Sequence, residues 1–475
     1  MSNSSRVVLF GFSLISFIIT LSNYGNHEGY DNLYILPITF AFGIFLIFLV
    51  GNKAKMSQKK ITLWGFMIMG LIRLTLIPIF ISFSTLDPGL NYINPDSYYI
   101  NKSILLISYE WIALSILLAI YYNKKVPVNS SVPRNLKIKG NLIVYSLFLL
   151  LFMFVFVFYG LNSSFINFGY IDVSTSSIER VGDEDSSIRI LLQQIIQIGL
   201  MLIFLLTLKH FSENYSVNKQ KINFYVPVFI SLLLLMVIIG ERRTNQIYLL
   251  LILSYLLITF YPEMRKRILF FLGSIGLLVL TTMSIYKFGY AFMYGSYTDA
   301  LINSDLTWEE ISGMFQIYFF GPENVAITLQ FADSYNLSPA NFFYDFLRST
   351  FGISFLLKEA NFVLTSEQFN TFIYGYERST GQVLSGLGYS YIYFGVILSP
   401  ILSALNIIIC LFVEKILKNT TSLEWVYVLL FILFRFSTNL FVASPALFSL
   451  STIMMGTAGM LFLVAILLGN RRYVV

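Results

Sequence analysis

The residues best suited to chemistry on a charged substrate are arginines in unusual places. Arg242 and Arg243 stand side by side in Gly240-Glu241-Arg242-Arg243-Thr244-Asn245, between two apolar runs. A guanidinium presents a rigid fork of donors that fits phosphate or carboxylate oxygens bidentately. Forks in a tight turn between hydrophobic segments sit at a membrane surface, where a lipid phosphate or pyrophosphate is the anion at hand. Ordinary headgroup contact is the plainer alternative. Arg73, in Gly70-Leu71-Ile72-Arg73-Leu74, and Arg435, in Phe434-Arg435-Phe436, lie inside apolar runs. A charge at the centre of a bilayer costs about 2.5–3.5 kcal/mol or more unless it faces protein or a water-filled cavity. Arg73 therefore reads either as a cation lining a cavity or as half of a structural pair with Glu110. Arg435 reads as a second such cation or as a side chain snorkelling to the headgroups. Arg348 and Arg378 fall in a long, less apolar stretch with the carboxylates Glu323, Asp333, Asp345 and Glu377. Fixed arginines stabilise a developing anion without a metal. A carboxylate can take the proton of an attacking hydroxyl, and composition does not choose among Glu323, Asp345 and Glu377.

These groups need a scaffold, and the rest of the chain supplies an all-α membrane one. Of 475 residues, 56% are hydrophobic and 12% charged, about half the charge fraction of a soluble domain. Apolar runs long enough to cross a bilayer recur throughout. Spans are expected at roughly 7–22, 33–50, 61–83, 103–122, 142–160, 189–208, 223–240, 246–261, 268–287, 385–413, 423–441 and 446–469, about twelve in all. The first run follows the single charge Arg6, and no small-residue cleavage site follows it. It reads as a retained span, not a signal peptide.

Orientation follows from the basic loops. Lys53, Lys55, Lys59 and Lys60 share one loop, Lys124, Lys125, Arg134, Lys137 and Lys139 another, and Arg265, Lys266 and Arg267 a third. With alternating spans all face one side, which the positive-inside rule makes the cytoplasm. Both termini are then cytoplasmic, most of the 31 Lys and Arg lie inside, and most of the 25 Asp and Glu lie outside. The turn 240–245 and the stretch 288–384 face outward. The net charge of +6 is thus a topology signal, not a nucleic-acid surface. The single cysteine, Cys410, excludes an internal disulfide framework. His27 and His210 fall on opposite sides, and no cluster suggests a metal.

The chain reads as one polytopic membrane domain, 1–475, with a large external loop at 288–384. Thr307-Trp308-Glu309-Glu310 has capping-box spacing. Gly321-Pro322 ends that helix and opens the next, and Ser338-Pro339 repeats the signal. Several short amphipathic helices on or dipping into the outer face are expected. No internal repeat supports an inverted-repeat transporter.

A set of short motifs resembles the Wzy-type oligosaccharide repeat-unit polymerases. Gly240-Glu241-Arg242 resembles their Gly-x-Arg after an apolar span. Gly321-Pro322-Glu323-Asn324-Val325 resembles their Pro-Glu-Asn element, and Phe343-Tyr344-Asp345-Phe346 the aromatic and acidic stretch after it. Tyr286-Lys287-Phe288-Gly289, Ser379-Thr380-Gly381 and Gly388-Tyr389-Ser390-Tyr391-Ile392-Tyr393-Phe394-Gly395 resemble the borders of the large loop and the re-entry span. The likeness covers most of the chain as architecture but only roughly 240–395 as residues. The family's Gly-x-Arg is usually followed by an Asn a couple of positions later; here a second arginine intervenes, so either Arg242 or Arg243 could be the matching residue. Tyr389 stands near where an acidic residue is expected.

The resemblance implies a metal-independent, GT-C-like glycosyltransferase in the bacterial cytoplasmic membrane, without a cofactor. It would join undecaprenyl-pyrophosphate-linked oligosaccharides at the outer face into O-antigen, capsule or a related polymer. Its partners would be membrane lipid, a flippase and a chain-length regulator. Arg73, Arg242, Arg243 and Arg435 would hold the donor pyrophosphate, and Arg348 and Arg378 the acceptor's. An O-antigen ligase is a rival, disfavoured because 288–384 holds no histidine. A lipid-linked oligosaccharide flippase is another, disfavoured by the length of the loop.

Overall fold

The computed structural model describes residues 3–51, 60–84, 93–123, 136–160, 166–168, 187–239, 243–291, 307–335, 337–357, 362–375 and 381–470. Most of the described residues are helical, and they include one short two-stranded ribbon. Among the described residues, five helices are long and apolar enough to cross a membrane: Ile61–Phe83, Ser97–Asn123, Leu142–Tyr159, Leu191–Asn218 and Ser444–Gly469. Shorter apolar helices cover Arg6–Ser22, Ile35–Val50, Ile222–Met236 and Thr244–Phe260. Such helices satisfy their own backbone, which is why apolar runs adopt them where water is absent.

Four expected spans end differently. The one placed at 189–208 continues as a helix to Asn218. The helix Ile222–Met236 stops short of 240, and Val237–Ile239 is extended, pairing antiparallel with Ile166–Phe168. The run 385–413 is two helices, Gly386–Phe394 and Ile401–Asn419. Gly395, at φ +70°, opens the turn between them, a conformation glycine adopts without steric cost, and Pro400 closes it. The helix Leu423–Ser437 ends before 441.

Two compact units make up the chain: Met1–Val132 with Leu306–Lys418 and Arg435–Ile453, and Pro133–Asp305 with Asn419–Phe434 and Met454–Val475. In the first, label the helices α1 (Asn3–Ser22), α2 (Ile35–Val50), α3 (Ile61–Phe83) and α4 (Ser97–Asn123). Trp111 of α4 is wedged among α2 and α3, stacked on Phe66 with ring centroids 4.0 Å apart. It fits because Gly43 and Gly70 lack side chains; a Cβ at either would enter the indole's space.

The expected loop helices are present as α5 (Trp308–Phe319), α6 (Pro322–Ser334), α7 (Pro339–Arg348), α8 (Ile353–Leu356) and α9 (Thr365–Tyr374). The Thr307 side chain accepts from Glu310 N, and Ser338 from Ala340 N, so both start signals operate. One expectation changes. α6 does not lie on a surface: every residue from Pro322 to Leu329 is buried. A helix buried all round must be apolar or internally paired on every side. Ile327 and Phe331 pack with Phe369, Leu384, Tyr389 and Leu402 in one core cluster.

In the second unit the buried Glu424 is a fastening point. Its Oε1 accepts from Lys139 N, Gly140 N and the Tyr145 hydroxyl at 2.8, 2.9 and 2.9 Å. Its Oε2 accepts from Ser422 Oγ at 2.6 Å.

The Trp111 wedge gives a first prediction. Gly70→Val should cost about 1–3 kcal/mol of stability, the usual penalty of overpacking. It should lower the unfolding temperature of the purified protein in detergent. An unchanged melting curve would show that the helices are not held at this distance by the missing side chain.

Candidate functional site

Arg73 sits where α3 widens locally into a π-turn, over Ile72–Leu76. Such bulges re-aim a side chain and recur at functional positions. Here the guanidinium turns into the protein, and the residue is 1% exposed. Nη1 donates to Glu110 Oε2 at 2.5 Å and Nε to the Phe320 carbonyl at 2.7 Å. The guanidinium carbon lies 4.5 Å from the centroid of the Phe441 ring. Glu110 is fully buried and takes a second bond from Ser403 Oγ at 2.5 Å. Of the two sequence readings, the geometry matches the structural pair, although Arg73 Nη2 is left without a partner.

The Phe320 carbonyl is no ordinary acceptor. Phe320 caps α5 in the left-handed region, at φ 56°, a conformation that costs a bulky residue energy and needs outside support. Arg73 supplies that support at the corner joining α5 to α6. The Pro-Glu-Asn element follows at once. Glu323 and Asn324 occupy the first turn of α6, both buried. Gln316 Oε1 accepts from Glu323 N at 3.0 Å. Asn324 reaches Gln382 Oε1 at 3.4 Å, and Asn370 clasps the Gln382 backbone through both its N–H and its carbonyl. The structure thus brings Arg73, Glu110 and Glu323 into one buried polar region.

Asp345 anchors a second cluster in the same unit. Its Oδ2 accepts from the Tyr389 hydroxyl at 2.5 Å and its Oδ1 from Thr365 N at 3.2 Å, at the start of α9. Thr365 Oγ1 in turn meets the Tyr393 hydroxyl at 2.5 Å. Burial pushes the Asp345 carboxyl above its usual range, against the pull of Thr365 and Tyr389. The tyrosine found where an acidic residue was expected therefore holds an acidic residue from α7.

Arg435 and Arg348 bond to backbone carbonyls of their own neighbourhoods. Arg435 is buried, not snorkelling; Nε and Nη2 donate to the Leu447 and Ala446 carbonyls at 3.1 and 2.7 Å. Arg348 Nη1 donates to the Ser354 carbonyl at 3.0 Å. Arg242, Glu377 and Arg378 lie outside the described residues. In the second unit, Arg243 is the first residue of the helix Arg243–Phe260. Gln246 Nε2 reaches back to the Val237 carbonyl at 2.9 Å. The described residues before the segment 240–242 end in the ribbon at Ile239, and those after it begin at the helix N-terminus at Arg243, a kind of site favourable to anions.

Sequence reasoning missed several participants. Gln316, Asn370 and Gln382 carry no spacing signal. Glu414, whose carboxylate accepts from Ile61 N and the Thr62 hydroxyl at 3.2 and 2.8 Å, was visible only as an acid at the end of an apolar run. Among the described residues, no group of His, Cys, Asp or Glu is gathered to hold a metal ion.

Breaking the Arg73–Glu110 pair from one side leaves a buried charge. Arg73→Ala or Glu110→Ala should each cost about 3–5 kcal/mol, while the double variant Arg73→Met with Glu110→Leu should recover most of it. Thermal unfolding of the three proteins measures this; equal melting of singles and parent would show the pair holds nothing. Searches for relatives return no matching family model, curated protein or solved structure for this chain.

Proposed function

We propose that this protein is an integral-membrane glycosyltransferase that polymerises undecaprenyl-pyrophosphate-linked oligosaccharide units. In this reading it crosses the bacterial cytoplasmic membrane about twelve times with both termini inside and acts at the outer face, on a GT-C-like plan. The resemblance of its motifs, in order along 240–395, supports the reading. The feature that carries it is the Arg242-Arg243 pair of the sequence, which follows the paired strand Val237–Ile239 and opens the helix Arg243–Phe260. Guanidinium forks and helix N-termini are both common devices for holding phosphate.

The reaction would run as follows. A hydroxyl of the incoming lipid-linked unit attacks the anomeric carbon of the growing chain. The bond from that carbon to the pyrophosphate oxygen breaks, and the lipid pyrophosphate leaves with the bonding pair. Arg242 and Arg243 stabilise the leaving charge, with Arg378 on the acceptor side. The hydroxyl proton passes to Glu323, Asp345 or Glu377. In the state described here Arg73, Arg348 and Arg435 are engaged by protein groups. They act by positioning the elements around the substrate.

The test is the surface glycan of a strain carrying single variants. Arg242→Ala and Arg243→Ala should collapse the polymer ladder to single capped units. Lysine at the matching position should not rescue, because a point charge lacks the fork. Accumulation of lipid-linked units on the cytoplasmic face would instead favour a flippase. An intact ladder in both variants would remove the arginine turn from the mechanism.

A further inference from the structure

The segment from α7 to α8 is built inside out for a water-facing loop. α7 buries its polar side chains Asn341 and Asp345 together with Tyr344. On its opposite face Phe343 is 66% exposed, and Leu347 is exposed one turn later. Beyond the connection, Ile353, Phe355 and Leu356 are exposed, the last at 83%, and so are Phe362 and Val363. A helix takes this polarity only when the solvent on its outer side is apolar.

Two further observations identify that solvent. The first is depth. Phe351 N donates to Thr452 Oγ1 at 3.1 Å, and that hydroxyl donates to the Ser349 carbonyl at 3.1 Å. The Phe346 and Phe448 rings meet with centroids 5.7 Å apart. Thr452 belongs to the apolar helix Ser444–Gly469 and lies about 12 Å along its axis from Ser444 at 1.5 Å per residue. In a hydrocarbon core about 30 Å thick, that is well below the helix end.

The second is satisfaction of irregular backbone. At membrane depth, non-helical backbone persists only when its polar groups find partners within the protein. Arg348 donates to the Ser354 carbonyl, the Tyr344 hydroxyl to the Leu357 carbonyl at 3.1 Å, and Asn341 Nδ2 to the Val363 carbonyl at 3.2 Å. With Thr452, the side chains supply what water would supply to an exposed loop.

We infer that the α7–α8 hairpin is a re-entrant element immersed in the hydrocarbon of one leaflet, with its apolar face against lipid chains and Asp345 turned inward. Arg348 is then the staple that closes the hairpin. The inference needs the helix Ser444–Gly469 to lie in a bilayer but does not rest on the polymerase reading. It would give a lipid-linked substrate a lateral path to a buried carboxylate.

The test uses the full-length protein in phospholipid vesicles. Cys410, buried and free, is replaced by serine, and nitroxide labels are placed through Phe343→Cys and Leu356→Cys. Both side chains are exposed, so the labels leave the packing intact. Ile116→Cys, exposed within the apolar helix Ser97–Asn123, is the lipid reference. Gln220→Cys, exposed between Lys219 and Lys221, is the water reference. Labels at 343 and 356 should collide with oxygen more than with a water-soluble nickel chelate, as at 116. Chelate-dominated collision, as at 220, would place the hairpin in water and overturn the proposal. Exclusion of both probes with spin–spin broadening would also overturn it, showing a second copy of the chain on this face. Each readout is independent of polymer formation, so loss of the functional proposal leaves the test intact.

Discussion

A polar group in hydrocarbon has no water to turn to, and this one constraint organises the first unit. The free energy of an unpaired donor or charge there exceeds that of most single contacts. Arg73, Glu110, Asp345 and Arg435, all buried, each find partners within the protein. Arg73 and Glu110 neutralise each other, and Ser403 and the Phe320 carbonyl take up further bonds. The ion pair offsets a desolvation cost that it did not have to incur, since an apolar pair of similar volume would fill the space as well. What the pair adds is direction. It fixes a strained carbonyl, and through it the corner from which α6 begins.

That corner links stability to the site. α6 is buried along its first turns and carries Glu323 and Asn324 on backbone that Gln316 and Gln382 hold in place. Rotating or sliding α6 would strip several buried groups of partners at once. The helix is therefore firmly held in place by its surroundings. Asp345 obeys the same rule from the other side, held between a tyrosine hydroxyl and the N-terminal amide of α9. Burial pushes its pKa up, against the pull of these hydrogen bonds.

The long stretch between the apolar blocks thus folds as part of the membrane scaffold. α6 sinks into the core and the α7–α8 hairpin turns its apolar face outward.

Much of this was legible in the residues. Apolar runs announced the helices, and Thr307, Pro322, Ser338 and Pro339 marked helix starts that the structure keeps, because caps and proline act locally. Glu110 was visible as a partner for Arg73 because it is an acid within an apolar run. Local pattern failed where the answer depended on distant contacts. The break at Gly395, the strand at Val237–Ile239 and the burial of α6 are settled by what packs against them. So is the commitment of Arg73 to Phe320. By itself the sequence determined that the chain is helical and apolar and that certain charges stand where they are costly, since those facts follow from composition and period. Only the tertiary structure decided which partner answers each charge, because desolvation and hydrogen bonding act through space between residues that lie far apart along the chain.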